Sequence, residues 1–71
     1  MKRILILSGE GTNGIFEEYT GSGTDRAIKS RLTKERQNGD RWAKAFILVD
    51  GYTYQDFESG ELKTIPEEVI R

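Results

Sequence analysis

The sequence has no cysteine, no histidine and a single proline. Without cysteine there are no disulfides, the usual staple of small secreted scaffolds, so an apolar core must hold the fold. With neither thiolate nor imidazole, Cys/His zinc sites and Ser-His or Cys-His nucleophile pairs are excluded. Long hydrophobic runs are missing as well. The longest, Ile4-Leu5-Ile6-Leu7, is far short of the roughly 20 residues that a membrane-spanning helix needs. Placed directly after Met1-Lys2-Arg3, it is also too short for a signal-peptide core. A cytoplasmic location is therefore expected. Nor is there an excess of one charge: 11 basic and 12 acidic side chains leave −1, unlike the strongly basic balance of a general nucleic-acid binder.

What is present is a chain of 71 residues, enough for one domain over residues 1–71. A domain of this size buries only about 60% of its unfolded surface. Its charge is unevenly placed. Residues 1–24 sum to −1, residues 25–44 to +4 and residues 45–71 to −4. Such a division means either a basic helix beside an acidic hairpin or a dipolar surface that steers a charged partner.

The hydrophobic pattern predicts a strand over 2–8, apolar on both faces, and a weaker strand from Ile15 to Thr20 that returns as a hairpin. Thr24 is a suitable helix N-cap and Asp25 favours the positive end of the helix dipole. The helix should run to about Gln37 and stop at Asn38-Gly39. Ala27, Ile28, Arg31, Leu32 and Glu35 share one face, so the helix makes a thin lid whose charged stems cover the core's edge. A third strand is expected from Trp42 to Val49, then an Asp50-Gly51 turn and a fourth strand from Tyr52 to Glu58. A two-residue loop there pairs Val49 with Tyr52 and Ile47 with Tyr54. That register puts Tyr52 and Tyr54 with Ala43, Ala45, Ile47 and Val49, and sets Trp42, Phe46, Leu48 and Phe57 on the other face. Thr64-Ile65-Pro66-Glu67 reads as a capping box before a short C-terminal helical turn.

These elements assemble into an α+β fold in ββαββ order: a four-stranded, mostly antiparallel sheet with one helix on one face. The two most apolar strands belong in the centre, which gives the spatial order 2-1-3-4, with 2-1-4-3 as the alternative. One thin helix covers one face only. The second face must be covered by the C-terminal segment (Leu62, Ile65, Val69, Ile70), by a second copy of the chain, or by a partner, since large apolar patches on isolated proteins mark contact sites.

Candidate chemistry is sparse. Gly9-Glu10-Gly11-Thr12-Asn13-Gly14 matches G-x-G-x-x-G after a strand, but a strand-like segment with two adjacent carboxylates comes next, where a dinucleotide site needs a helix. A hairpin loop with positive-φ glycines accounts for it better, and a backbone nest for a small anion is the alternative. Gly21-Ser22-Gly23-Thr24 at the helix start reads as capping. The carboxylates show no spacing for acid/base catalysis or for a Ca²⁺ loop.

The expectation is a small non-enzymatic binding module, with no cofactor or metal. It would contact a partner protein or itself, as a homodimer, through Trp42, Phe46, Leu48 and Phe57. An adaptor or inhibitor role, of the kind found among phage and mobile-element proteins, suits such a chain. The alternative is nucleic-acid or nucleotide binding by Arg26, Lys29, Lys34, Arg36 and Arg41 with a glycine loop at Gly11 and Gly14. No membrane association is expected.

Overall fold

A computed structural model describes residues 3–9 and 14–71. Strand β1 (Ile4–Ser8) pairs antiparallel with β2 (Ile15–Glu18) on one side and with β3 (Lys44–Asp50) on the other. β4 (Thr53–Asp56) comes after β3, and a fifth strand, β5 (Leu62–Thr64), after β4. The sheet is antiparallel throughout, in the order β2-β1-β3-β4-β5. The expected 2-1-3-4 arrangement is present within it, and the 2-1-4-3 alternative is not. The four-strand, ββαββ description needs correction, because β5 lengthens the element order to ββαβββ. β4 is consequently an interior strand, and β2 and β5 are the edges.

The helix α1 spans Asp25–Gln37, with the Thr24 side chain accepting from the Ala27 N–H. Its end is a Schellman turn: the Asp40 N–H donates to the Glu35 carbonyl and the Gly39 N–H to that of Arg36, with Gly39 at φ 101°. Ile28 and Leu32 are buried against Ile4, Ile6, Ala43 and Ala45. Arg31 and Glu35 pair at 2.9 Å on the flank, and the Arg31 guanidinium lies 5.9 Å from the Tyr19 ring centroid. The charged stems therefore do edge the core, as their position on the helix implies.

Two corrections concern the β3–β4 hairpin. The tight loop is Gly51-Tyr52, not Asp50-Gly51, and the register shifts between Leu48 and Asp50, leaving Val49 as the extra residue of a bulge. Tyr54 therefore faces Leu48 instead of Ile47. A one-residue slip turns every side chain of a strand over. Tyr54 is accordingly buried with Leu5, Leu7 and Phe46 on the second face, and Phe57 packs on the helix side. Phe57 thus lies on the face opposite to the one expected from the sequence.

The last correction is the tail. Thr64 is part of β5, opposite Thr53, so it cannot cap a helix. The chain then makes a single 3-10 turn, Glu67–Val69, entered from Pro66 with no side-chain cap. The segment 65–71 crosses the second face as a strap. Ile65 is 1% exposed and Ile70 packs against the same cluster. At the far edge Ile70 bridges Phe16 in parallel fashion, and the Arg71 N–H donates to the Phe16 carbonyl at 2.8 Å. Of the three possible covers for the second face, the chain supplies the first itself, although Leu62 and Val69 remain exposed.

Candidate functional site

The strap runs from β5 across to β2 and leaves one end of the second face open. There, where β1 ends and β3 begins, Leu7, Trp42, Lys44, Phe46, Asp56, Glu61 and Lys63 line a depression of about 220 Å³. Side chains alternate across a strand, so Trp42, Lys44 and Phe46 point the same way from β3 and its lead-in. The floor is apolar. Phe46 is buried and meets Phe16 edge-on, ring centroids 5.8 Å apart. Trp42 forms a wall and is 55% exposed.

Two ammonium groups stand over this floor. Lys63 reaches from β5 until its Nζ is 5.6 Å from the Phe16 centroid and 5.8 Å from that of Phe46. A cation over a ring face is held by the ring quadrupole, and such contacts are worth roughly 0.5–1 kcal/mol at exposed sites. Lys44 Nζ lies 3.8 Å from the buried Asp56 carboxylate. The other oxygen of Asp56 accepts the backbone N–H groups of Glu58 and Ser59, which closes the turn out of β4. Asp56 is thus occupied by the fold. Among the described residues Lys63 has no carboxylate within ion-pair distance.

The residues singled out from the sequence separate in space. Trp42 and Phe46 meet at the depression, one as its wall and the other as its floor. Leu48 is half-buried against the cluster that the strap covers. Phe57 lies across the sheet. Arg26, Lys29 and Lys34 are exposed on α1, on the opposite side of the sheet from the depression. Arg41 is exposed next to Trp42. Arg36 is engaged: it donates to Glu58 (3.1 Å) and to the Ala43 carbonyl (2.9 Å). The Glu58 hydrogen bonds raise the Arg36 pKa and hold the Glu58 carboxyl below the usual carboxylate range. The helix cations and the tryptophan therefore do not form one surface.

The glycine motif is only partly described. Glu10, Gly11, Thr12 and Asn13 lie outside the described residues. Gly9 has φ 97° and donates its N–H to Asp40 at 3.1 Å. Gly14 lies so close to β1 that a Cβ there would fall 2.4 Å from Leu7 Cδ1. The motif leads into antiparallel β2, not into the helix that a dinucleotide fingerprint requires.

Leu7, Lys44 and Lys63 join the site without having been singled out by the sequence pattern. Lys44 was within reach of the two-residue period that places it between Trp42 and Phe46. Lys63 enters only through β5, a strand the pattern does not predict. Among the described residues no group of three or more acidic side chains is placed to hold a metal ion, and no helix is long and apolar enough to cross a membrane. Comparison with protein-family models, curated proteins and solved structures gives no match.

Proposed function

We propose that this chain is a small non-enzymatic binding module whose contact surface is the open end of the second sheet face. One observation carries this reading: Trp42 is more than half exposed at the mouth of a depression that the strap does not fill. Tryptophan is among the residues most enriched where a few side chains dominate a protein interface, especially where a neighbouring pocket can desolvate it. Leaving an indole in water has a hydrophobic cost that contact with a partner removes. The mixed rim, Lys44 and Lys63 with Asp56 and Glu61, suits a protein surface better than a polyanion. An adaptor or inhibitor acts in this way, by contact and without bond chemistry, and the cytoplasm fits that role.

The test places a photo-activatable phenylalanine analogue at position 42 in one variant and at position 29, on the helix, in another. Covalent capture of a protein from position 42, undiminished in high salt and absent from position 29, supports the reading. Capture from position 29 alone, with retention of nucleic acid that falls steeply as salt rises, would replace it with the nucleic-acid reading.

A further inference from the structure

The face that carries Trp42 is complementary to itself. Its open end is a depression with an apolar floor, an indole wall and two ammonium groups. Its other part is the strap, a ridge with matching chemistry. Val69 is 45% exposed on that ridge, and Glu68 beside it is exposed. Most other charges on this face are already matched within the chain. Glu67 is held by Arg3, and Asp56 by Lys44 and two backbone N–H groups. Lys63 in the depression and Glu68 on the ridge have no ion-pair partner among the described residues. Glu61 on the rim, likewise without an ion pair, disfavours an occupant that is acidic throughout. A segment with one unpaired carboxylate next to an apolar side chain suits the depression, and the strap, whose Glu67 is taken by Arg3, is such a segment.

We infer that the partner of this face is a second copy of the chain, in a two-fold arrangement in which each strap seats in the other protomer's depression. Val69 then packs against the exposed indole of Trp42 at the mouth of the depression, and Glu68 meets Lys63. Two-fold symmetry makes each contact twice, which is how a ridge and a depression on one face can close without leaving either free. An interface of standard size takes about 800 Å² from each protomer, a modest share of the 5186 Å² surface of this chain. The inference rests on the reading of the Trp42 end as the contact surface.

Sedimentation equilibrium over a wide concentration range tests it, with Lys63→Glu, Glu68→Lys and an equimolar mixture of the two. Both side chains are exposed, so circular dichroism should match the wild type. The expected result is a wild-type dimer, self-association of each variant weakened by at least about tenfold through like-charge contacts, and a dimer restored in the mixture. Restoration is expected because in the mixed dimer one symmetry-related contact is the native Lys63–Glu68 pair and the other is the same pair with its charges exchanged, whereas both contacts in either variant alone oppose like charges. A wild type that stays monomeric at every concentration overturns the inference. So does a dimer indifferent to both reversals, or one that the mixture fails to restore. A monomer whose position 42 still cross-links to another protein removes only the self-partner. A dimer untouched by Trp42→Ala, with no cross-link from position 42, removes the contact surface itself.

Discussion

Arg3 and Glu67, 64 positions apart in the chain, form a two-pronged ion pair with N–O distances of 2.7 and 3.0 Å. Arg3 also reaches Glu18 at 3.1 Å, so one guanidinium ties the first strand to the second and to the strap. Arginine suits this role because its planar fork matches a carboxylate on two bonds at once.

The Glu67 carboxyl accordingly lies below the usual carboxylate range, chiefly because it accepts the Arg3 hydrogen bonds, and the Arg3 pKa is raised. A lowered folded-state pKa gives stabilisation that is complete above the ordinary carboxylate value and is lost as pH falls through the folded one. Acidification should therefore loosen the strap before the sheet melts. Methyl resonances of Ile65 and Ile70 should shift only at pH below the ordinary glutamate range, while those of Ile28 stay in place. Glu67→Gln should show the loosened spectrum already at neutral pH, without that acid step.

Leu5 and Trp42 should respond unequally to truncation. Leu5 is fully buried between β2 and β3, so Leu5→Ala should cost about 2–5 kcal/mol. That is a large part of the roughly 5 kcal/mol at the low end for small domains. Trp42→Ala, where more than half of the side chain is already in water, should cost clearly less, about 1 kcal/mol. Urea unfolding curves measure both. A Trp42→Ala loss as large as that of Leu5→Ala would show that the indole serves the fold, not a contact.

Asp56 is a buried carboxylate with a structural task. Replacing it with Ala leaves the N–H groups of Glu58 and Ser59 without their acceptor and Lys44 without its counter-charge, a cost of about 1–3 kcal/mol. Asn keeps one oxygen acceptor for the turn, so Asp56→Asn should retain more of the stability than Asp56→Ala does. Thermal unfolding of the two variants side by side checks the order, and equal losses would exclude the turn as the cause.

Several elements were legible because their signals are local. Thr24 and Asp25 open α1, Asn38-Gly39 closes it, and Ile28 and Leu32 are the buried pair on its expected face. β1 and β3 are central because each is apolar on both sides. The segments that depart from expectation carry weak local signals. Leu62–Thr64 has three residues, all exposed, and becomes a strand only because β4 offers it a ladder. Thr64, as part of that ladder, is lost to the capping box that the sequence suggested.

The site divides along the same line. Trp42, Phe46 and Leu48 share a face by the two-residue period alone, and the structure agrees. Phe57 does not join them, because the bulge at Val49 turns β4 over relative to β3. Lys63 comes to the depression from a strand whose pairing is not written in its own residues.

By itself, then, the sequence determined the capped helix, the two central strands and the need to cover a second apolar face. Those rest on periodicity, caps and burial, which act over a few neighbouring residues. Tertiary structure decided which segment covers that face, which side Tyr54 and Phe57 take, and that Trp42 is left beside a depression with Lys63. These depend on long-range register and on an ion pair between the chain's two ends. A one-residue slip or a contact across 64 positions leaves no periodic trace in the sequence, yet each decides which side chains meet.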